Sequence, residues 1–146
     1  MGQIFKYYVY AIRADCNPVM VKFGISRDPE KRLASLQTGS PVSLELMCFV
    51  GASRSLEAQI HNSLRHLRKH GEWFSYEYEA IEIADLIAAG DAWLVYQRVF
   101  ELSQQLYQSA LDSHPDQPDK KYWGNREECG TDAYQLAQFC KYFKIN

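Results

Sequence analysis

Residues 6–26 read KYYVYAIRADCNPVMVKFGIS, and this stretch decides the fold. Its first eight residues, 6–13, are rich in aromatic and β-branched types. That composition predicts a strand, with Tyr8, Tyr10 and Ile12 on one face and Tyr7, Val9 and Ala11 on the other. Ala14-Asp15-Cys16-Asn17-Pro18 is turn chemistry, and 19–26 is a second apolar strand, so the two form a hairpin. Gly24 inside that strand marks a bulge or a close backbone approach.

The next elements follow outward from the hairpin. Asp28-Pro29-Glu30 carries an N-cap acid, a proline at the first helical position and an acid in the first turn. The helix it starts runs to about Leu36 and is expected to bury Leu33 and Leu36, before Thr38-Gly39-Ser40-Pro41 stops it. A third strand is expected at 43–50. Ser55 can cap a longer helix that Gly71 ends, burying Leu56, Ile60, Leu64 and Leu67 at helical spacing. On that helix Glu57, His61, Arg65 and Arg68 form a second stripe at the edge of the core. Residues 78–89, 91–112 and 132–143 read as further helices, with a polar, proline-bearing linker at 113–126. The fold class is α+β, divided into a domain at 1–76 and an acidic helical extension at 77–146.

Composition narrows the function. With 146 residues and 47% hydrophobic content, an ordinary globular core is expected. No apolar run approaches the roughly 18 residues of a membrane span, and the N-terminus lacks a signal peptide's apolar stretch. Cys16, Cys48, Cys129 and Cys140 form no CxxC pair, so neither a zinc site nor a disulfide framework is indicated. The expected setting is the cytoplasm, free or on the nucleoid. Net charge is −2, but residues 1–74 carry ten Lys or Arg against six Asp or Glu, while 75–146 carry six against twelve. A basic front half is what a phosphate-facing region looks like.

Cleaving a phosphodiester requires an activated water and stabilised charge on the phosphorus oxygens. A cation held by a carboxylate supplies much of both, and Mg²⁺ needs only one or two carboxylates. Glu57 is the candidate ligand; a glutamate complementing the helix N-terminus is the plainer alternative. Tyr10 could position or deprotonate the water once nearby cations lower its pKa, and Tyr8 shares its face, so the sequence does not choose between them. Lys22 interrupts an apolar strand and either reaches solvent or faces the tyrosines' groove. Arg32 offers a planar fork to phosphate oxygens. His61 can move a proton near neutral pH. Arg27, Lys31, Arg65 and Arg68 are the candidate nucleic-acid contacts.

In this order the residues resemble the GIY-YIG nuclease superfamily, over the first 75 positions, and most of all its small branch of phage and mobile-element proteins. The matching elements are Tyr8-Val9-Tyr10, Lys22-Phe23-Gly24, Ser26, Asp28-Pro29, Arg32-Leu33, Leu36 through Pro41, the Glu57 and His61 pair, and Gly71-Glu72-Trp73-Phe74. The resemblance implies a three-stranded antiparallel sheet flanked by helices, cutting DNA with one divalent metal, Mg²⁺ or Mn²⁺. It makes Tyr10 the first-motif tyrosine, Arg32 the helix arginine and Glu57 the metal ligand. Two positions depart from the superfamily: Lys22 stands where a second tyrosine is usual, and the asparagine downstream of the glutamate has no counterpart, Glu72 or Trp73 lying near its place. The expected partners are DNA, and a second copy or another protein through the C-terminal helices. Two other readings compete: a nucleic-acid-binding module without cleavage, and a protein-interaction factor acting through the acidic half.

Overall fold

The computed structural model describes residues 6–113, and the helix expected at 132–143 lies outside them. Two compact units divide the chain, Met1–Val99 and Phe100–Asn146.

The first unit is built on the predicted hairpin. Strands β1 (Tyr8–Ala14) and β2 (Met20–Ser26) pair antiparallel, with Tyr10 opposite Gly24 and Ile12 opposite Lys22. Strand β3 (Leu44–Gly51) pairs with the other edge of β1, with an irregularity between Ala11 and Ile12. These are the three expected antiparallel strands. Two short strands extend the sheet: β4 (Arg68–His70) and β5 (Trp73–Ser75) form a hairpin, and β5 joins β2. The spatial order is β3-β1-β2-β5-β4. Val9, Tyr10, Ala11 and Ile12 are all buried in succession, so both faces of the central strand are covered.

Helix α1 (Pro29–Thr38) starts where its sequence says: Asp28 accepts a hydrogen bond from the Lys31 backbone N–H at 3.1 Å. Only Pro29 is buried on it; Leu33 and Leu36 are half-buried rather than core residues. Helix α2 (Arg54–Ser63) corrects the reading of a single helix from Ser55 to Gly71. Its N-cap is Ser53, and after Ser63 the chain passes through a 3₁₀ turn, Arg65–Leu67, into β4. Gly71, at φ +54°, is therefore the turn of the β4–β5 hairpin rather than a helix stop. Leu56, Ile60 and Leu64 are buried as expected, while Leu67 is only half-buried. Helix α3 (Tyr78–Ala88) packs on β3 and β1, and Gly90, at φ +81°, separates it from α4 (Ala92–Ser113). Among the described residues, no helix is long and apolar enough to cross a membrane.

Candidate functional site

The β2–β5 register sets Lys22 opposite Trp73, which brings the preceding Glu72 beside the Lys22 ammonium. Lys22 is only 6% exposed, and its ammonium donates to a Glu72 carboxylate oxygen. A buried ammonium needs such a partner, because its lost hydration is costly. The same short hairpin aims Glu72 at α2. There Glu57 and His61, four residues apart on one side of the helix, lie with Oε1 and Nε2 3.7 Å apart. One ligand atom each from Glu57, His61 and Glu72 lie within 4.8 Å of one another.

The closeness of these groups sets their charges. Burial pushes the Glu57 pKa up, and the like charge of Glu72 adds to the rise. For Glu72 burial acts in the same upward direction, but the Lys22 bond and the neighbouring cations outweigh it and hold the group below the usual carboxylate range. Burial pushes His61 down from the ordinary histidine value, so its neutral form prevails at pH 7. His61 Nε2 lies 2.6 Å from the Phe23 carbonyl oxygen. A carbonyl only accepts, so Nε2 carries the hydrogen, and Nδ1 of the neutral ring is left with its lone pair. The ring also packs on Phe74, at 5.4 Å between centroids.

Tyr10 and Tyr8 part company. Tyr10 is buried against Gly24, with the Arg32 guanidinium at its hydroxyl and the fields of Glu72 and Glu57 reaching it. Its pKa is raised, chiefly by burial, against the downward pull of Arg32. This corrects the expectation that nearby cations would lower it: desolvation is the larger effect. Tyr8 is half-buried and stands edge-on to Phe49, at 5.5 Å.

Tyr10, Lys22, Arg32, Glu57 and His61 thus gather around one centre, joined by Glu72. The other basic candidates are spread around it. Arg68 is on β4 over the Phe74 ring, and its charge reaches His61. Arg65 sits in the 3₁₀ turn, so Arg65 and Arg68 do not continue a helical stripe below Glu57 and His61. Lys31 is exposed on α1, and Arg27 lies over the Tyr7 ring. Glu57 is not on an exposed edge; its side chain is 18% exposed and turned toward the centre. Glu72, which the sequence places, with Trp73, near the position of the missing asparagine but to which it assigns no role, is the residue the structure adds to the centre.

Two carboxylates and an imidazole are a donor set suited to a divalent cation, the carboxylates to Mg²⁺ or Mn²⁺ and the imidazole to softer ions. Glu57 and Glu72 would be the oxygen ligands, with His61 beside them.

The T5orf172 domain family, a domain of phage and mobile-element endonuclease-like proteins, matches residues 7–88, more than half of the chain. No curated protein and no solved structure matches it.

Proposed function

Because the chain belongs to the T5orf172 domain family, a nuclease-like or DNA-binding module of phage type, we propose that it is a GIY-YIG-like endonuclease hydrolysing DNA phosphodiester bonds with Mg²⁺ or Mn²⁺. The observation that carries this reading is the convergence of Glu57, His61 and Glu72 beside Tyr10, Lys22 and Arg32. Glu57 and Glu72 would hold the cation, which when bound polarises a phosphoryl oxygen and acidifies a water. Arg32, exposed at the mouth, receives phosphate oxygens on its planar guanidinium. His61, neutral and fixed beside Glu57 by its Nε2–H bond to the Phe23 carbonyl, is the group at the centre that can take up a proton. Tyr10, kept as the neutral phenol by burial, acts as a hydrogen-bonding group that orients the water or the phosphate rather than as a base. Lys22 fixes Glu72 through one of its three N–H donors.

A binding module without cleavage is the second reading, favoured by the Lys22 ammonium already occupying a Glu72 oxygen. The experiment that separates the two uses supercoiled, linear, branched and single-stranded DNA with Mg²⁺, Mn²⁺ or chelator. Metal-dependent products from any form support the nuclease. Salt-sensitive binding with no product supports the second reading.

A further inference from the structure

A second group of cations lies to one side of the Glu57 centre, gathered on Tyr7. Three separate segments supply them. Lys6 precedes β1, Arg27 follows β2, and Arg54 opens α2; the backbone bond from Ala52 N–H to the Tyr7 carbonyl (3.1 Å) ties the last of these to the start of β1. The Arg54 guanidinium carbon is 4.8 Å from the Tyr7 ring centroid, that of Arg27 is 5.5 Å away, and Lys6 Nζ is 5.7 Å away. Arg54 also donates through Nη2 to the Tyr7 hydroxyl at 3.3 Å. Among the described residues no carboxylate forms an ion pair with Lys6, Arg27 or Arg54. Three like charges with no ion-paired carboxylate repel one another; the field of Glu57 reaches Arg54 but the two do not pair, and an anion would relieve the cluster further.

A second feature of the same corner also favours an anion. The Ser53 side chain does not cap α2; its Oγ is bonded to Tyr96 Oη at 2.6 Å and to Ser55 Oγ at 2.7 Å. The amide donors of the first turn of α2, where Arg54 stands, are left without the usual side-chain cap.

We propose that Tyr7, Arg27 and Arg54 form a phosphodiester clamp, which seats the backbone of a nucleic-acid strand one helical turn of α2 away from Glu57. This rests on the nuclease reading only for what happens at Glu57; the clamp itself binds phosphate with or without cleavage. Two guanidinium forks take the phosphate oxygens, and the phenol between them keeps the forks in place and can donate a hydrogen bond of its own. Arg54 and Glu57 are three residues apart on α2, so a strand held at the first passes the second.

The two guanidinium groups at its hydroxyl lower the Tyr7 pKa to about 8. A phosphate that takes those donors should return the phenol toward its ordinary value, which gives a direct readout. The test uses the full chain in chelator, so that nothing is cut, and fluorescein-labelled duplex and single-stranded DNA. Binding is measured against salt for wild type and for Arg27→Gln/Arg54→Gln, whose side chains are exposed and lie over the Tyr7 ring rather than in the core. The clamp predicts a slope of log affinity on log salt shallower by about 1.8 on duplex, or about 1.4 on a single strand, in the double variant. The tyrosinate absorbance difference between wild type and Tyr7→Phe should show a midpoint near 8 that moves upward when unlabelled DNA is added. An unchanged slope, an unmoved midpoint, or no binding by wild type at low salt would overturn the clamp. Cleavage judges the nuclease reading separately: intact clamp behaviour without a metal-dependent product would retire the nuclease and leave the clamp standing.

Discussion

Replacing Gly24 by alanine puts a methyl group where the Tyr10 ring already lies. A Cβ at Gly24 would stand 2.3 Å from the Tyr10 hydroxyl oxygen and 2.5 Å from its Cζ. Favourable contact between such atoms needs about 3.5 Å, so the ring must retreat by about 1 Å. Tyr10 is 1% exposed and directly opposite Gly24 in the strand register, so the ring can retreat only by pushing on its buried neighbours or toward the centre. Overpacking of this kind costs about 1–3 kcal/mol. Removing a strand glycine returns roughly 0.5–1 kcal/mol, so the clash wins. At roughly 4 °C per kcal/mol for a chain of this size, a fall in melting temperature of several degrees is expected. A 1 Å displacement of an orienting hydroxyl should also slow cleavage about 100-fold. The assays are thermal unfolding by circular dichroism and single-turnover cleavage, for wild type, Gly24→Ala, Tyr10→Phe and the double variant. Tyr10→Phe removes the nearest atom but leaves Cζ, so the double variant should recover part of the lost stability and not all of it. Gly24→Ala melting within about 1 °C of wild type, or a double variant whose losses simply add, would refute the packing argument.

Other outcomes follow from the same centre. Glu72→Gln leaves the Lys22 ammonium buried without its counter-charge, though with an amide oxygen still able to accept; because the Glu72 side chain is 45% exposed, the loss should be about 1–2 kcal/mol rather than the full cost of a broken buried pair, read as a shift in urea midpoint. Lys22→Met removes the desolvated charge as well and should stay within about 1 kcal/mol of wild type, yet lower cleavage by loosening Glu72. The folded His61 pKa lies below the ordinary 6.5, so as pH falls through that value the unfolded chain takes up its proton first, and stability declines toward the folded pKa. His61→Gln should flatten that decline in urea titrations between about pH 7.5 and 5.5, and equal declines would remove burial of His61 as its cause.

The β1–β2 hairpin and α1 were legible because their signals are local: turn residues at 14–18, and Asp28-Pro29 at a helix start. Glu57 and His61 were legible as a pair because helical geometry alone brings positions four apart together. The end of α2 was not legible. Leu64 and Leu67 keep nearly helical spacing through the 3₁₀ turn, and no proline or glycine intervenes before Gly71. Strand β4 gives no alternation, since Arg68, Lys69 and His70 are all exposed, and a glycine with positive φ serves a helix stop and a hairpin equally well. Glu72 went unassigned for the same reason, because it reaches the centre only through the pairing of β5 with β2. The choice of Tyr10 over Tyr8 likewise required the tertiary neighbours Gly24 and Arg32, two positions that share a strand face being equivalent in sequence.

The most direct test of the account compares wild type with Glu57→Gln in single-turnover cleavage of DNA in Mg²⁺, with binding of the same DNA measured in chelator. Glutamine keeps the size of the side chain and removes its charge. The account predicts that wild type cuts and that the variant binds equally but cuts slower by about 100-fold or more, as expected when several kcal/mol of charge stabilisation are lost. Cleavage by Glu57→Gln at the wild-type rate would contradict it.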